Sequence, residues 1–118
     1  MPNPPKWRAP FDEFYTEELR SIRLVEELGY DTVWLSEHHF AEDGYAPSLL
    51  VIAAAVAAVT ERVRIGTSVL LLPLHNPIRV AEDAAVVDLG LGQGYTREEF
   101  EGYGISPERA GEPARGGD

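Results

Sequence analysis

The stretch Val63-Arg64-Ile65-Gly66-Thr67-Ser68-Val69-Leu70-Leu71-Leu72 constrains the fold more than any other part of the chain. Its second half is continuously apolar, the pattern of a strand covered on both faces, which is how parallel sheets bury their strands. Parallel neighbours cannot be joined by a tight hairpin. Each needs a crossover of a dozen or more residues, usually a helix. The sequence supplies candidates on both sides of this strand.

Upstream, Phe11, Phe14, Tyr15, Leu19, Ile22, Val25 and Leu28 recur every three or four places, which predicts an amphipathic helix over Phe11–Leu28 with one buried stripe. Asp12 and Glu13 lie in its first turn, where the helix dipole favours acids, and Gly29 suits a left-handed C-cap. Thr32-Val33-Trp34-Leu35-Ser36 is β-branched and aromatic and predicts a strand, followed by a polar loop from Glu37 to Tyr45. A second helix is expected from Pro47, in its first turn, to about Thr60; its nearly all-apolar surface implies burial on most sides. Pro73 to Asn76 reads as a turn, with Asn76 as N-cap and Pro77 as first residue of a third helix reaching about Leu89. Helices alternating with strands indicate an α/β fold with a parallel sheet.

After Leu89 the pattern breaks. Gly90-Leu91-Gly92-Gln93-Gly94 arrives with too few residues before it for a strand of ordinary length, so the third helix is expected to run on or bend into the glycines. Thr96 and Glu99 have the spacing of a capping box on a short helix. Residues 1–10 read as an irregular, proline-rich arm and 106–118 as a loose tail of a single domain spanning 1–118.

Composition removes several function classes. With 20 acidic against 10 basic residues the formal net charge is −10, which opposes binding to nucleic acid or to an anionic membrane surface. No cysteine is present, so disulfides, thiolate nucleophiles and Cys-based zinc sites are excluded. The longest apolar run, Leu49 to Val59, is too short to span a bilayer, and no basic start precedes an apolar run at the N-terminus; a cytoplasmic protein is expected.

Chemistry concentrates in Glu37-His38-His39, directly after a predicted parallel strand, at the end where α/β folds build their sites. Histidine is the side chain best suited to proton transfer near neutral pH. The plainer reading is a pair of loop histidines, one hydrogen-bonded and one exposed. A metal reading is poorer, because adjacent side chains of an extended segment point to opposite faces, and His75 adds only one further ligand; no metal is expected.

Longer motifs bear on that choice. Trp34-Leu35-Ser36-Glu37-His38-His39-Phe40, followed by Glu42 and Gly44, resembles the loop after the second barrel strand of bacterial luciferase-like flavin-dependent monooxygenases. Arg64 to Pro73 resembles their third strand and its exit, His75 to Asp83 the start of the next helix, and Gly90 to Tyr95 the end of the fourth strand. The resemblance covers roughly Phe11 to Ile105, in the family's order. It implies part of a (β/α)₈ TIM barrel. It also implies an oxidoreductase using reduced flavin mononucleotide (FMN), or a reduced deazaflavin coenzyme, with oxygen on a small organic substrate. It makes His38 the catalytic acid–base group, with Glu37 and His39 shaping the same pocket. It puts a non-prolyl cis peptide at Ser68-Val69 against the flavin ring. It places Gly92 near the flavin and Gln93 toward its phosphate, where a neutral amide can donate a hydrogen bond but not a charge.

The sequence departs from the family in three places. The strand that precedes the N-terminal arm is absent, most of the fourth strand before Gly90 is missing, and a full barrel of about 250 residues would continue well beyond Asp118. Two strands and a remnant cannot close a barrel, so open edges are expected to pair with a second copy or a partner chain. A second reading follows, in which the chain is a non-catalytic fragment or partner of a luciferase-like protein.

Overall fold

A computed structural model describes residues 3–43 and 45–106, with no account of the Val86 side chain. The parallel arrangement is present. Strand β1 (Thr32–Leu35) pairs in parallel with β2 (Arg64–Thr67), in the register Thr32 to Arg64 and Leu35 to Thr67. Helix α1 (Phe11–Glu27) precedes β1, and helix α2 (Leu49–Val59) forms the crossover. Gly29, at φ +86°, takes the left-handed conformation that ends α1.

The apolar strand expected over Val63–Leu72 is interrupted. The Ser68-Val69 peptide is cis, as the resemblance implies, and pairing resumes in β3 (Leu70–Leu71), while Leu72–Leu74 turns into a 3₁₀ segment. Asn76 caps helix α3 (Pro77–Asp83), its side chain accepting from the N–H groups of Ile78 and Arg79.

Further sequence expectations change. Pro47 lies before α2 rather than in its first turn; the first helical bond, Ile52 N–H to the Ser48 carbonyl, starts the helix at Leu49. Helix α3 does not reach Leu89. It tightens into a 3₁₀ turn at Ala84–Val86 because Asp88 is drawn into the sheet: its N–H donates to Ile65 O and its carbonyl accepts from Thr67 N–H. The chain then continues beside β3 as β4 (Leu91–Gly92), in the register Leu70 to Leu91; this is a two-residue remnant and not a strand of ordinary length, as expected. Thr96 caps helix α4 (Arg97–Gly102) without a side-chain hydrogen bond, and Glu99 points elsewhere, so the capping box does not form. The loose tail expected from 106 lies, from 107 on, outside the described residues.

Helix α2 organises the core. Leu49 packs with Leu70 and Val80, while Ala53 and Val56 pack with Ile65; Leu35 touches both clusters. The burial predicted on most sides of α2 is not found: Val51 is 68% exposed, on the side turned away from the sheet, α1 and α3. The α1 stripe is also only half covered, with Leu19 and Ile22 against α2 and Leu28 exposed. Trp34 alternates with Leu35, so it stands on the opposite face of the sheet, and it is exposed. No described helix is long and apolar enough to cross a membrane.

Polar contacts close the lower end of the sheet. The Glu26 carboxylate, at the end of α1, accepts the backbone N–H groups of Glu61, Arg62 and Val63. The Arg62 and Val63 N–H groups hold this carboxyl below the usual carboxylate range, with Glu61 and the Arg62 charge adding and desolvation opposing. Across the sheet, a hydrogen bond and then the charge of Asp88 raise the Arg64 guanidinium above its ordinary value.

Two outcomes follow. Leu70→Ala removes a side chain that is fully buried between helix and sheet, and should cost about 2–5 kcal/mol in urea unfolding. Glu26 has a depressed folded-state value, so its contribution is present above the ordinary glutamate range and is lost as pH falls through the folded value. The wild type should therefore exceed Glu26→Gln in stability at pH 7, and the gap should shrink below about pH 4.3. A gap that stays constant down the acid limb would mean the carboxylate charge is not involved.

Candidate functional site

Both parallel strands deliver their ends to one edge, and the chemistry-bearing loop leaves β1 there. Two hydrogen bonds fasten that loop to the β2 exit: Ser68 N–H donates to Leu35 O at 2.6 Å, and Ser36 Oγ donates to Ser68 O at 2.9 Å. The segment Ser36 to His39 is thus held against the cis peptide at Ser68-Val69.

The Glu37 carboxylate is buried and fully used. Its Oε1 lies 2.5 Å from His39 Nε2 and 2.6 Å from His75 Nε2, and its Oε2 accepts Leu71 N–H at 2.7 Å. One carboxylate therefore ties together the β1 loop, strand β3 and the turn before α3. Facing a carboxylate oxygen, Nε2 of each ring is the donor, and His39 Nδ1 lies 3.1 Å from the Tyr103 hydroxyl, which it accepts when the ring is neutral. His39 is buried with Glu37, and His75 is partly exposed.

These three residues bring potential ligand atoms within 4.8 Å of one another. Two ligand atoms around a tetrahedral ion at about 2.1 Å would stand about 3.4 Å apart. The observed 2.5 and 2.6 Å are hydrogen-bond lengths instead.

His38 sits differently. Its ring is 37% exposed, packs edge-on against Tyr45 at 5.0 Å, and places Nδ1 3.4 Å from Oε1 of Glu99. Glu99 is buried on α4, and the same oxygen accepts the His39 backbone N–H at 2.9 Å. Beside this loop, along the edge of β1 that has no strand partner among the described residues, runs a cleft lined by Phe14, Leu19, Trp34, Ser36, Tyr45 and Ile52. Tyr15 also lines it; burial, then the charge of Glu18, raises its hydroxyl.

The residues expected from sequence divide as follows. Glu37, His38, His39, Ser68 and Val69 come together at the strand ends, with Val69 partly exposed. Gly92 is paired with Leu71 in the neighbouring strand, and Gln93 follows it exposed. His75, which sequence reasoning considered only as a further metal ligand, bonds Glu37, and two residues acquire a place that it did not give them: Glu99 and Tyr103. Glu99 left a faint signal, an acid directly before Phe100 on the apolar side of a short helix; the two are buried together.

The sequence profile of the luciferase-like monooxygenases matches residues 11–115. The chain belongs to that family. It is 36% identical over 90 residues to the alkanal monooxygenase alpha chain of Photorhabdus laumondii subsp. laumondii, an alignment covering 70% of this chain and 25% of that one. It superimposes on monooxygenase RslO1 from Streptomyces bottropensis with TM-score 0.84 and 30% identity, over 92% of this chain and 36% of the other. It also superimposes on the oxygenating constituent of 3,6-diketocamphane monooxygenase from Pseudomonas putida, a structure in complex with FMN. There the TM-score is 0.76 at 21% identity, over 88% of this chain and 30% of that one. The chain thus spans about a quarter of the length of the alkanal monooxygenase relative. The α/β class with parallel strands, expected as part of a (β/α)₈ barrel, agrees with these neighbours.

Removing the Glu37 carboxylate would leave a buried N–H and two ring donors without their acceptor. Glu37→Ala should therefore lower stability by about 3–5 kcal/mol in chemical unfolding, well beyond a surface Glu→Ala change.

Proposed function

We propose that the strand-end edge bearing Glu37, His38, His39, Ser68, Val69, Gly92 and Gln93 is the flavin face of a monooxygenase, with His38 as its acid–base residue. The observation that carries this reading is the half-exposed imidazole of His38, on a loop fastened to the Ser68-Val69 peptide by the Ser36 and Ser68 hydrogen bonds. The residues fit a planar ring. A Cβ on Gly92 would overlap a γ-methyl of Val69, so Val69 can lie over the glycine with its outer side open. That leaves an apolar platform at the strand ends. Gln93 is positioned to hydrogen-bond a phosphate without neutralising it.

The cofactor class is reduced FMN, the flavin named for the Pseudomonas putida neighbour, or a reduced deazaflavin presenting a similar ring. When bound, reduced flavin with oxygen supplies the oxygenating chemistry. The protein's own residues do the rest. His38 takes or gives a proton at its accessible ring nitrogen, Glu37 and His39 hold its loop rigid, and the cleft beside Trp34 and Tyr45 is suited to the apolar part of a small organic substrate.

A second reading, a non-catalytic fragment or partner chain, is favoured by the edge of β1 that has no strand partner among the described residues and by the exposed Trp34 and Val51. A second copy or partner chain pairing along β1 would satisfy that edge under either reading.

Flavin binding and reduced-FMN-dependent oxidation of an alkanal decide between them. The unmodified chain should bind FMN. His38→Ala should keep that binding within a few-fold while turnover falls about 10²–10⁴-fold. Equal turnover in the two proteins would take His38 out of the mechanism. No FMN binding by the unmodified chain would favour the non-catalytic reading.

A further inference from the structure

We propose that Glu99 is a positioning residue for His38, fixing which ring nitrogen carries the proton. This rests on the reading of His38 as the acid–base group, although the geometry stands without it. Glu99 is 2% exposed, and burying an ionised carboxylate is costly unless charges or donors compensate. Its partners are specific. One oxygen, Oε1, accepts the His39 N–H at 2.9 Å and faces His38 Nδ1 at 3.4 Å. No other basic side chain lies within ion-pair distance of Glu99 among the described residues.

At 3.4 Å the His38 contact is an ion-pair separation rather than a formed hydrogen bond. Such contacts in catalytic sites often tighten when a ligand closes the site. The backbone bond matters equally, because it fixes the peptide joining His38 to His39 and so aims the ring. A carboxylate at Nδ1 favours the Nδ1–H tautomer and leaves Nε2 with the lone pair. The proton-accepting atom of His38 is then Nε2. It also stabilises the imidazolium formed once that proton arrives, the role of an orienting acid behind a catalytic histidine.

The other groups around His38 do not compete for Nδ1. Tyr45 meets the ring edge-on, Glu37 is committed to His39, His75 and Leu71, and Tyr103 bonds His39. The two neighbouring histidines are therefore held in the opposite tautomer, Nε2–H. They serve as internal references.

Nitrogen-15 NMR of the full chain at about pH 9, where a free imidazole is neutral, reads each tautomer without flavin. The expected result is Nδ1–H for His38 and Nε2–H for His39 and His75. Glu99→Ala should shift His38 toward Nε2–H and leave the other two unchanged. Should that variant fail to fold, the wild-type spectrum still decides: His38 found as Nε2–H overturns the proposal. Kinetics give an independent arm. Glu99→Gln should lower turnover at least about tenfold with little change in KM, and adding it to His38→Ala should cost no more than about a further twofold. Losses that multiply would mean Glu99 acts through the fold alone, and would overturn the proposal. If the chain binds no FMN, the flavin reading fails while the tautomer measurement still tests Glu99.

Discussion

Everything at the working edge of this molecule hangs on one buried carboxylate. Glu37 lies at the point where β1 ends, and water cannot compensate its charge there. Burial is tolerable only because both oxygens are occupied, by two imidazole donors and one backbone N–H. Those donors come from three places in the chain: the same loop, strand β3, and the turn before α3. The carboxylate therefore does what a larger core would do elsewhere. It makes three segments one rigid unit, at the place where the apolar clusters around α2 run out.

That division of labour explains which parts were legible in the sequence. Helix α1 and strands β1 and β2 were readable because their periods are local: spacing in Phe11–Leu28 and β-branched residues in Thr32–Ser36 report the structure within a few residues. Helix α3 was misjudged at its end for a non-local reason. Val87 and Asp88 have nothing against a helix in themselves, but Val87 packs against the core cluster of α2 and β2, and Asp88 finds better partners in the backbone of β2. The burial of α2 was overestimated because composition tells how apolar a surface is, not whether another element arrives to cover it.

The site divides along the same line. Glu37, His38 and His39 are contiguous and follow a strand, so their place at the sheet edge could be argued from sequence. His75 follows the next strand and so could come near, but its bond to Glu37 and the place of Glu99 could not be read, since those contacts span 38 and 60 residues. Glu99 shows how a local rule misleads. Three residues after Thr96 it matches a capping box, yet its carboxylate turns away from the helix start toward the His38 loop. The exchange is favourable because the start of this six-residue helix is exposed to water, which can serve its N–H groups, whereas the N–H of buried His39 would be costly to leave unpaired.

Two buried acids around two adjacent histidines could have produced two equivalent residues, and the geometry prevents it. His39 is enclosed, donates from Nε2 and accepts at Nδ1, so both its nitrogens are spent on structure. His38 keeps one nitrogen beside Glu99 and leaves the rest of its ring more than a third exposed. The two rings meet different carboxylates, Glu37 for His39 and Glu99 for His38. One histidine of the pair is thereby consumed in holding the loop, and the other keeps an accessible ring, which the proposed proton exchange requires.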